Sequence, residues 1–210
     1  MLDHLIARPL RIGLLDFGDG RDFLSQPLAP VQRQFRDALA AKLRADGHDV
    51  RLGDDVIWRN DIAVRNGKAM AAADVDAVIF NFSVWAWPQY ARVAAQFCPQ
   101  PIAMFASVNP QYPGLVGMLA NAGSLDQAGI RFTKTFGDLE DPAVYGALVS
   151  RVRAVAAARR LRGLTYALIG GRSLGIDTTV IDPAQWMSEF GIDVDHIDQY
   201  ELVRRAEQEL

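Results

Sequence analysis

Short apolar runs alternate along the chain with longer stretches in which apolar residues recur at helical spacing. The runs in the first 160 residues predict strands at 11–16, 48–52, 77–82, 102–105 and 130–133. The stretches between them predict helices at 27–46, 87–96, 114–128 and 142–160. Alternation of this kind predicts an α/β fold: a doubly wound, mainly parallel, Rossmann-like sheet of five strands with helices on both faces.

The first predicted helix is expected to start late, near Pro27, with Ser25 as its N-cap and Gly47 as its stop. The preceding turn carries Gly18 and Gly20, which could supply the first two glycines of a dinucleotide-binding G-x-G-x-x-G loop. Phe23 stands at the third glycine position, where it would block close packing of helix and strand. A nucleotide-dependent oxidoreductase therefore stays a weak alternative.

The pattern changes near residue 162 and predicts two parts: a Rossmann-like domain at 1–162 and the start of a second α/β domain at 163–210. In the second part, the pattern predicts strands at 164–169 and 192–197, a helix at 184–190 and a final helix from Gln199. Asp198 and Glu201 are spaced at the start of this final helix as in a capping box. Two strands cannot bury a substantial core alone. We therefore expect an amino-terminal fragment of a longer protein; a short appendage to the first domain is the alternative.

Composition narrows the function classes. The 210 residues are 50% hydrophobic and 22% charged, with a formal net charge of −3, as in soluble globular proteins. This slightly negative net charge gives no sign of the basic surface that binds nucleic acid. No stretch reaches the roughly 20 apolar residues that span a membrane. With a single cysteine, Cys98, the chain cannot form an internal disulfide, and we expect Cys98 to be structural. Residues 1–8 lack the apolar core of a secretory signal. Together these features predict a cytoplasmic location.

A glycine loop at 170–176 resembles two catalytic loops but lacks their surroundings. Gly171–Gly175 fits the G-x-S-x-G pattern of hydrolases, yet β-branched residues and Pro183 follow where a helix is required. The glycine spacing also fits a phosphate-binding P-loop, but Ile176 and Asp177 replace its Lys and Ser/Thr. His196 lies among aspartates that strand alternation places on opposite faces, so no metal site is expected there.

Unusual side chains follow the predicted strands, where ligands meet a doubly wound sheet. Trp85 and Trp87 lie in a polar, proline-containing loop; an indole suits the C–H face of a sugar, and packing beneath the loop or in a subunit interface is the alternative. Arg21 lies in the first loop, where it could bind a sugar hydroxyl or serve only as a salt-bridge partner.

The order of these motifs resembles the L-fucose isomerase family of metal-dependent aldose–ketose isomerases, which includes D-arabinose isomerases. The resemblance rests on Gly-Gly-Arg-Ser-Leu-Gly-Ile at 170–176, Val-Ile-Asp at 180–182 and the segment 195–205 entering a helix. It extends to Asp-Gly-Arg at 19–21, Val-Trp-Ala-Trp at 84–87 and Pro-Gly at 113–114. The first loop departs from the family by its extra acidic and aromatic residues.

The resemblance implies a three-domain subunit in a hexamer, whose first domain helps to complete the active site of a neighbouring subunit. By position, Arg21 and Trp85 match the residues that reach the neighbour's sugar, whereas Trp87 is not carried over. The implied reaction runs through an enediol and uses Mn²⁺, whose ligands belong to later domains, so this chain alone is expected to be inactive. A non-enzymatic sugar-binding or regulatory module is the alternative function.

Overall fold

The computed structural model of the protein describes residues 8–172 and 174–209. The inferences drawn above from Ser173 and from residues 1–7 therefore lie outside the described residues. The chain divides into two compact units, of which the first ends at Arg159 and the second begins at Arg160. Across the described ranges, no helix combines the length and the apolar character that crossing a bilayer requires.

The first unit contains a five-stranded sheet. Its strands are β1 (Arg11–Asp16), β2 (Asp49–Leu52), β3 (Ala77–Phe82), β4 (Ile102–Ser107) and β5 (Phe132–Gly137). They pair in the order β2-β1-β3-β4-β5, and every pairing is parallel. The predicted doubly wound α/β fold is therefore confirmed, with the strand order of flavodoxin-like sheets.

Helices cover both faces of this sheet. They are α1 (Asp22–Ala45), α2 (Asn60–Ala72), α3 (Pro88–Ala95), α4 (Gly114–Gln127) and α5 (Pro142–Leu161). Side chains alternate between two cores because neighbouring strand residues point to opposite faces. Leu14 and Ile79 pack with residues of α1 and α5, whereas Leu15 and Phe80 pack with residues of α2, α3 and α4.

The structure corrects two predictions about helices. Helix α1 begins at Asp22, so Ser25 is not its N-cap; the Ser25 hydroxyl instead donates to the Asp22 carbonyl. Pro27 and Pro30 both lie inside α1, beyond its first four residues, and each removes one backbone N–H donor from the helix. Helix α2 was not predicted, because it buries Asn66 and Gly67 where helical spacing would call for apolar side chains.

The second unit pairs strands β6 (Thr165–Ile169) and β7 (Asp193–Ile197) in parallel, with helices α6 (Pro183–Phe190) and α7 (Gln199–Glu209). Asp198 accepts a hydrogen bond from the Tyr200 amide at 2.8 Å, as its predicted capping role requires. The Glu201 carboxylate accepts hydrogen bonds from the side chains of Arg204 and Arg205. Leu164, Tyr166 and Ile169 are 49%, 44% and 50% exposed, which shows how little core two strands bury.

Candidate functional site at the carboxyl edge of the sheet

The strand order places a crevice between β1 and β3. Strands β2 and β3 lie on opposite sides of β1, so the direction of winding reverses there, and such switch points are where α/β sheets bind ligands. The loop after β1 (17–21) and the loop after β3 (83–87) flank this point. The two strand ends are joined by a hydrogen bond from the Phe17 amide to the Asn81 carbonyl, 3.2 Å long.

Arg21 is held in this first loop by Asp19. The Asp19 side chain is 3% exposed, and its Oδ1 accepts from the backbone amide of Arg21 at 2.9 Å and from its Nε at 2.8 Å. Arg21 Nη2 donates to the other carboxylate oxygen, which completes a bidentate ion pair. The hydrogen bonds from Arg21 hold the pKa of Asp19 below its usual range, against the opposing effect of burial.

The salt-bridge alternative for Arg21 is thus observed, but it does not use the whole guanidinium. A guanidinium has five N–H donors, and Asp19 engages only Nε and one N–H of Nη2. The Arg21 side chain is 48% exposed, and its guanidinium carbon lies 5.8 Å from the ring centre of Phe23. The remaining donors can therefore bind a ligand oxygen without breaking the ion pair.

Trp87 packs against the first loop. Its backbone amide donates to the Gly18 carbonyl at 3.4 Å. The indole stacks on the Tyr90 ring at a centroid distance of 6.2 Å. A Cβ at Gly20 would lie 2.9 Å from the indole and would overlap the Tyr90 hydroxyl, so only glycine fits there. For Trp87 the packing alternative is correct.

Trp85 is half-buried, and α4 fixes the backbone around it. A Cβ at Gly117 would lie 2.8 Å from the Val84 carbonyl and 3.3 Å from the Trp85 Cα, so the loop rests directly on the helix. The Asn121 side-chain amide donates to the Ala86 carbonyl at 3.1 Å. These contacts hold Trp85 at the sheet edge; they do not show what its ring binds.

A second buried carboxylate lies below the two loops. Asp16 ends β1 and accepts a hydrogen bond from the Asn81 side-chain amide at 2.7 Å, while Arg36 Nε lies 3.7 Å away. Burial raises the pKa of Asp16 to about 7, although the hydrogen bond from Asn81 and the charge of Arg36 both act to lower it. Sequence reasoning missed this pair, since neither residue belongs to a motif.

The remaining candidates are structural. Cys98 is buried, and its burial raises the pKa of the thiol to about 12. His48 Nδ1 accepts a hydrogen bond from the Leu10 amide at 3.1 Å. Within the part of the chain that the structure describes, no group of three or more His, Cys, Asp and Glu side chains could hold a metal ion.

The structure also changes the reasons for rejecting a dinucleotide-binding loop after β1. Helix α1 begins at Asp22, directly after the glycines, so the expected delay to Pro27 is wrong. Phe23 is 71% exposed, so it does not separate the helix from β1. The charges in this loop nevertheless disfavour the binding of a phosphate group. The first turn of α1 carries Asp22, and the buried Asp19 lies between the two glycines, so two carboxylates near this helix N-terminus disfavour an anionic pyrophosphate.

Comparisons with known proteins identify the family to which the first part of the chain is similar. Residues 9–163 match the family model described as L-fucose isomerase, first N-terminal domain. An L-fucose isomerase of Phocaeicola vulgatus is 23% identical over 203 residues, which cover 91% of this chain and 34% of the relative. An L-fucose isomerase of Salmonella arizonae is 30% identical over 119 residues, covering 53% of this chain and 20% of the relative.

These alignments show that the chain spans about a third of the length of the first of these relatives and less of the second. The family model covers most of the chain, including both loops of the switch point and the strands that carry them. The chain therefore belongs to the L-fucose isomerase family and carries its first amino-terminal domain.

Proposed function

We propose that this chain is the amino-terminal part of an aldose–ketose isomerase and that Arg21 and Trp85 contact the sugar. One observation carries the proposal: at the switch point, a buried carboxylate fixes the Arg21 guanidinium while 48% of that side chain stays exposed. Membership of the L-fucose isomerase family supplies the class of substrate. A fixed guanidinium with unused N–H donors suits the hydroxyl and carbonyl oxygens of a sugar.

The chemistry assigned to this chain is binding and orientation. Conversion of an aldose to a ketose through an enediol moves a proton between neighbouring carbons and leaves the distal hydroxyls unchanged. Hydrogen bonds from Arg21 to a sugar oxygen and contact of the Trp85 indole with a C–H face would hold the reacting carbons in place. The aromatic Phe23 beside Arg21 adds an apolar surface at the same edge.

Mn²⁺ is the cofactor that the family resemblance implies for the parent protein. The described residues do not offer a fitting donor set, since no three potential ligands of the His, Cys, Asp and Glu types converge. We therefore assign the ligands to the part of the relatives that this chain does not span, and we expect the chain alone to be inactive. No step proposed for Arg21 or Trp85 involves the metal.

The proposal includes a cytoplasmic homo-oligomer, with a hexamer expected, in which this edge faces the active site of a neighbouring subunit. Three large apolar side chains near the carboxyl ends of the strands support a covering partner. Phe23, Val108 and Phe136 are 71%, 51% and 53% exposed. An interface between subunits would cover such exposed apolar side chains.

The first test is isomerisation of L-fucose and D-arabinose by the complete protein, with and without Mn²⁺. Ketose formation that depends on Mn²⁺ is expected. Saturable sugar binding to a folded oligomer without turnover would instead support the sugar-binding module.

The second test asks whether Arg21 and Trp85 contact the sugar. Trp85→Ala and Arg21→Ala are each expected to raise KM with the fold retained. Arg33→Ala is the matched control, because it removes another exposed arginine, in α1, to which no contact with the sugar is assigned. Unchanged kinetics in both site variants would refute the assignment.

A mixing experiment tests whether Arg21 serves a neighbouring site. Subunits with Arg21→Ala are combined with subunits inactivated at a metal ligand in the later part of the protein. If sites are shared between subunits, mixed oligomers regain activity in proportion to the intact interfaces. Activity that simply follows the average of the two parents would show that each subunit uses its own Arg21.

A further inference from the structure

Asn121 is a polar side chain buried in the apolar inner face of α4. It is 0% exposed, and its neighbours on that face, Met118 and Ala122, belong to the hydrophobic core. Its Nδ2 donates to the Ala86 carbonyl at 3.1 Å and to the Gly117 carbonyl, one turn back in the helix, at 2.9 Å. Burying an amide is costly, so an asparagine in this face indicates that the fold requires these hydrogen bonds.

The two carbonyl oxygens fix the orientation of the Asn121 side chain. Both accept from its N–H₂ group, so a flipped amide would direct an oxygen at two other oxygens. Asn121 Oδ1 is buried and has no hydrogen-bond partner among the described residues. The bond to Gly117 stays within α4. The bond to Ala86 therefore joins the helix to the loop after β3.

The backbone of this loop also rests on two glycines of α4. Gly114 and Gly117 precede Asn121 by seven and four residues, which places all three on one face of the helix. A Cβ at Gly114 would lie 2.9 Å from the Ser83 carbonyl carbon, and a Cβ at Gly117 would lie 2.8 Å from the Val84 carbonyl oxygen. Close contact and a directed hydrogen bond thus act together to set the position of the loop on the helix.

We propose that Asn121 is a positioning residue: from α4 it fixes the Ala86 carbonyl, and through it the place of the Trp85 indole at the sugar site. The proposal rests on the proposed function in taking Trp85 as a sugar contact. Trp85 immediately precedes Ala86, so a shift of this carbonyl moves the backbone that carries the indole. Asn121 itself is fully buried and does not touch the sugar.

Loss of this hydrogen bond should weaken sugar binding more than it slows the chemical step. In Asn121→Ala the Ala86 carbonyl loses its donor, the loop is held less firmly, and sugar binding must then order Trp85. We expect KM to rise about two- to tenfold, the range that loss of one aromatic contact covers, with a smaller effect on kcat. A purely structural role would instead lower the folded fraction, which reduces the apparent kcat and leaves KM unchanged.

A second variant reaches the same loop by a steric route and covers the case in which Asn121→Ala does not fold. In Gly117→Ala the added Cβ presses on the Val84 carbonyl, and KM is expected to rise within the same range. The matched control is Gly123→Ala on the same helix, where a Cβ meets nothing within 4 Å, and it should keep the wild-type KM. Equal KM values in all three variants would overturn the proposal.

A double-variant cycle in the complete protein tests whether Asn121 acts through Trp85. If it does, Asn121→Ala should add nothing to the KM of Trp85→Ala, because the ring that it positions is already absent. A KM that rises further in the Trp85→Ala background would contradict the proposal, since α4 would then affect sugar binding by another route.

A readout that needs no turnover separates this proposal from the proposed function. In the 210-residue chain, the Trp85 indole N–H resonance is assigned with Trp85→Phe and followed in the other variants. We expect Asn121→Ala to shift this resonance and Gly123→Ala to leave it in place. An unshifted resonance in Asn121→Ala would refute the positioning role. A wild-type KM in Trp85→Ala would instead refute the sugar contact, while the resonance still shows whether Asn121 places the ring.

Discussion

The buried carboxyl group of Asp16 should make the stability of the first unit depend on pH. Its pKa is raised from the usual 3.8 to about 7, chiefly by burial. The folded protein therefore retains a proton that the unfolded chain releases above pH 4. The contribution of Asp16 to the free energy of unfolding is thus largest at about pH 4 and below, falls as the pH rises towards 7, and is level above that.

The magnitude follows from the two pKa values. They differ by about three pH units, and each unit corresponds to about 1.4 kcal/mol, so this group should account for about 4 kcal/mol between pH 4 and 8. In Asp16→Asn the side chain cannot ionise, and its amide oxygen can still accept the hydrogen bond from Asn81. The variant should therefore gain stability relative to wild type as the pH rises.

The assay is urea unfolding at several pH values, followed by tryptophan fluorescence in a Trp186→Phe background. The remaining tryptophans, Trp58, Trp85 and Trp87, all lie in the first unit. Asp126→Asn, which removes an exposed carboxylate from α4, is the control and should keep the wild-type profile. Parallel profiles for wild type and Asp16→Asn would refute the reasoning, as would a ¹³C NMR titration that places the Asp16 carboxyl near its ordinary pKa.

Three further predictions concern packing. Gly20→Ala should lower the free energy of unfolding by about 1–3 kcal/mol, because the added Cβ overpacks against Trp87. At Gly123 a Cβ meets nothing within 4 Å, so Gly123→Ala should raise the free energy of unfolding by up to about 1 kcal/mol. Thermal unfolding of the two variants tests these opposite signs. Asn121→Ala should cost about 1–3 kcal/mol and speed hydrogen exchange in the loop after β3, because it removes the bond to the Ala86 carbonyl; unchanged exchange would contradict this. Cys98 should resist maleimide in the native protein and react after unfolding, as mass spectrometry can show.

Much of the fold could be predicted from the sequence because its strands are buried on both faces. The run at 77–82 is almost entirely apolar, and the structure places β3 at Ala77–Phe82. Helix α2 escaped prediction because its packing against α3 requires a small residue. A Cβ at Gly67 would lie 2.7 Å from the Ala94 carbonyl, so glycine stands where the pattern looks for a large apolar side chain.

The candidate site was predictable in its place but not in its contacts. The ends of the predicted strands pointed to these loops, and the family resemblance then singled out Arg21 and Trp85 within them. The spacing of Asp19 and Arg21 was a usable signal for their ion pair. The packing of Trp87 against Gly20 was not, because it depends on how two loops from different strands meet, and the roles of Arg21 and Trp85 towards a ligand stay predictions.

Asp16 and Asp19 show that burial alone does not set the charge of this edge. Both are almost fully buried, yet the pKa of Asp16 is raised and that of Asp19 is lowered, because Asp19 has the bidentate Arg21 guanidinium and Asp16 chiefly a neutral amide. Asp19 should therefore stay ionised and keep hold of Arg21 while Asp16 titrates. If Arg21 contacts the sugar, the ratio of KM between Arg21→Ala and wild type should be the same at pH 5 and pH 8. A ratio that falls towards one at pH 5 would show that the anchor itself titrates, contrary to the hydrogen bonds that Asp19 accepts.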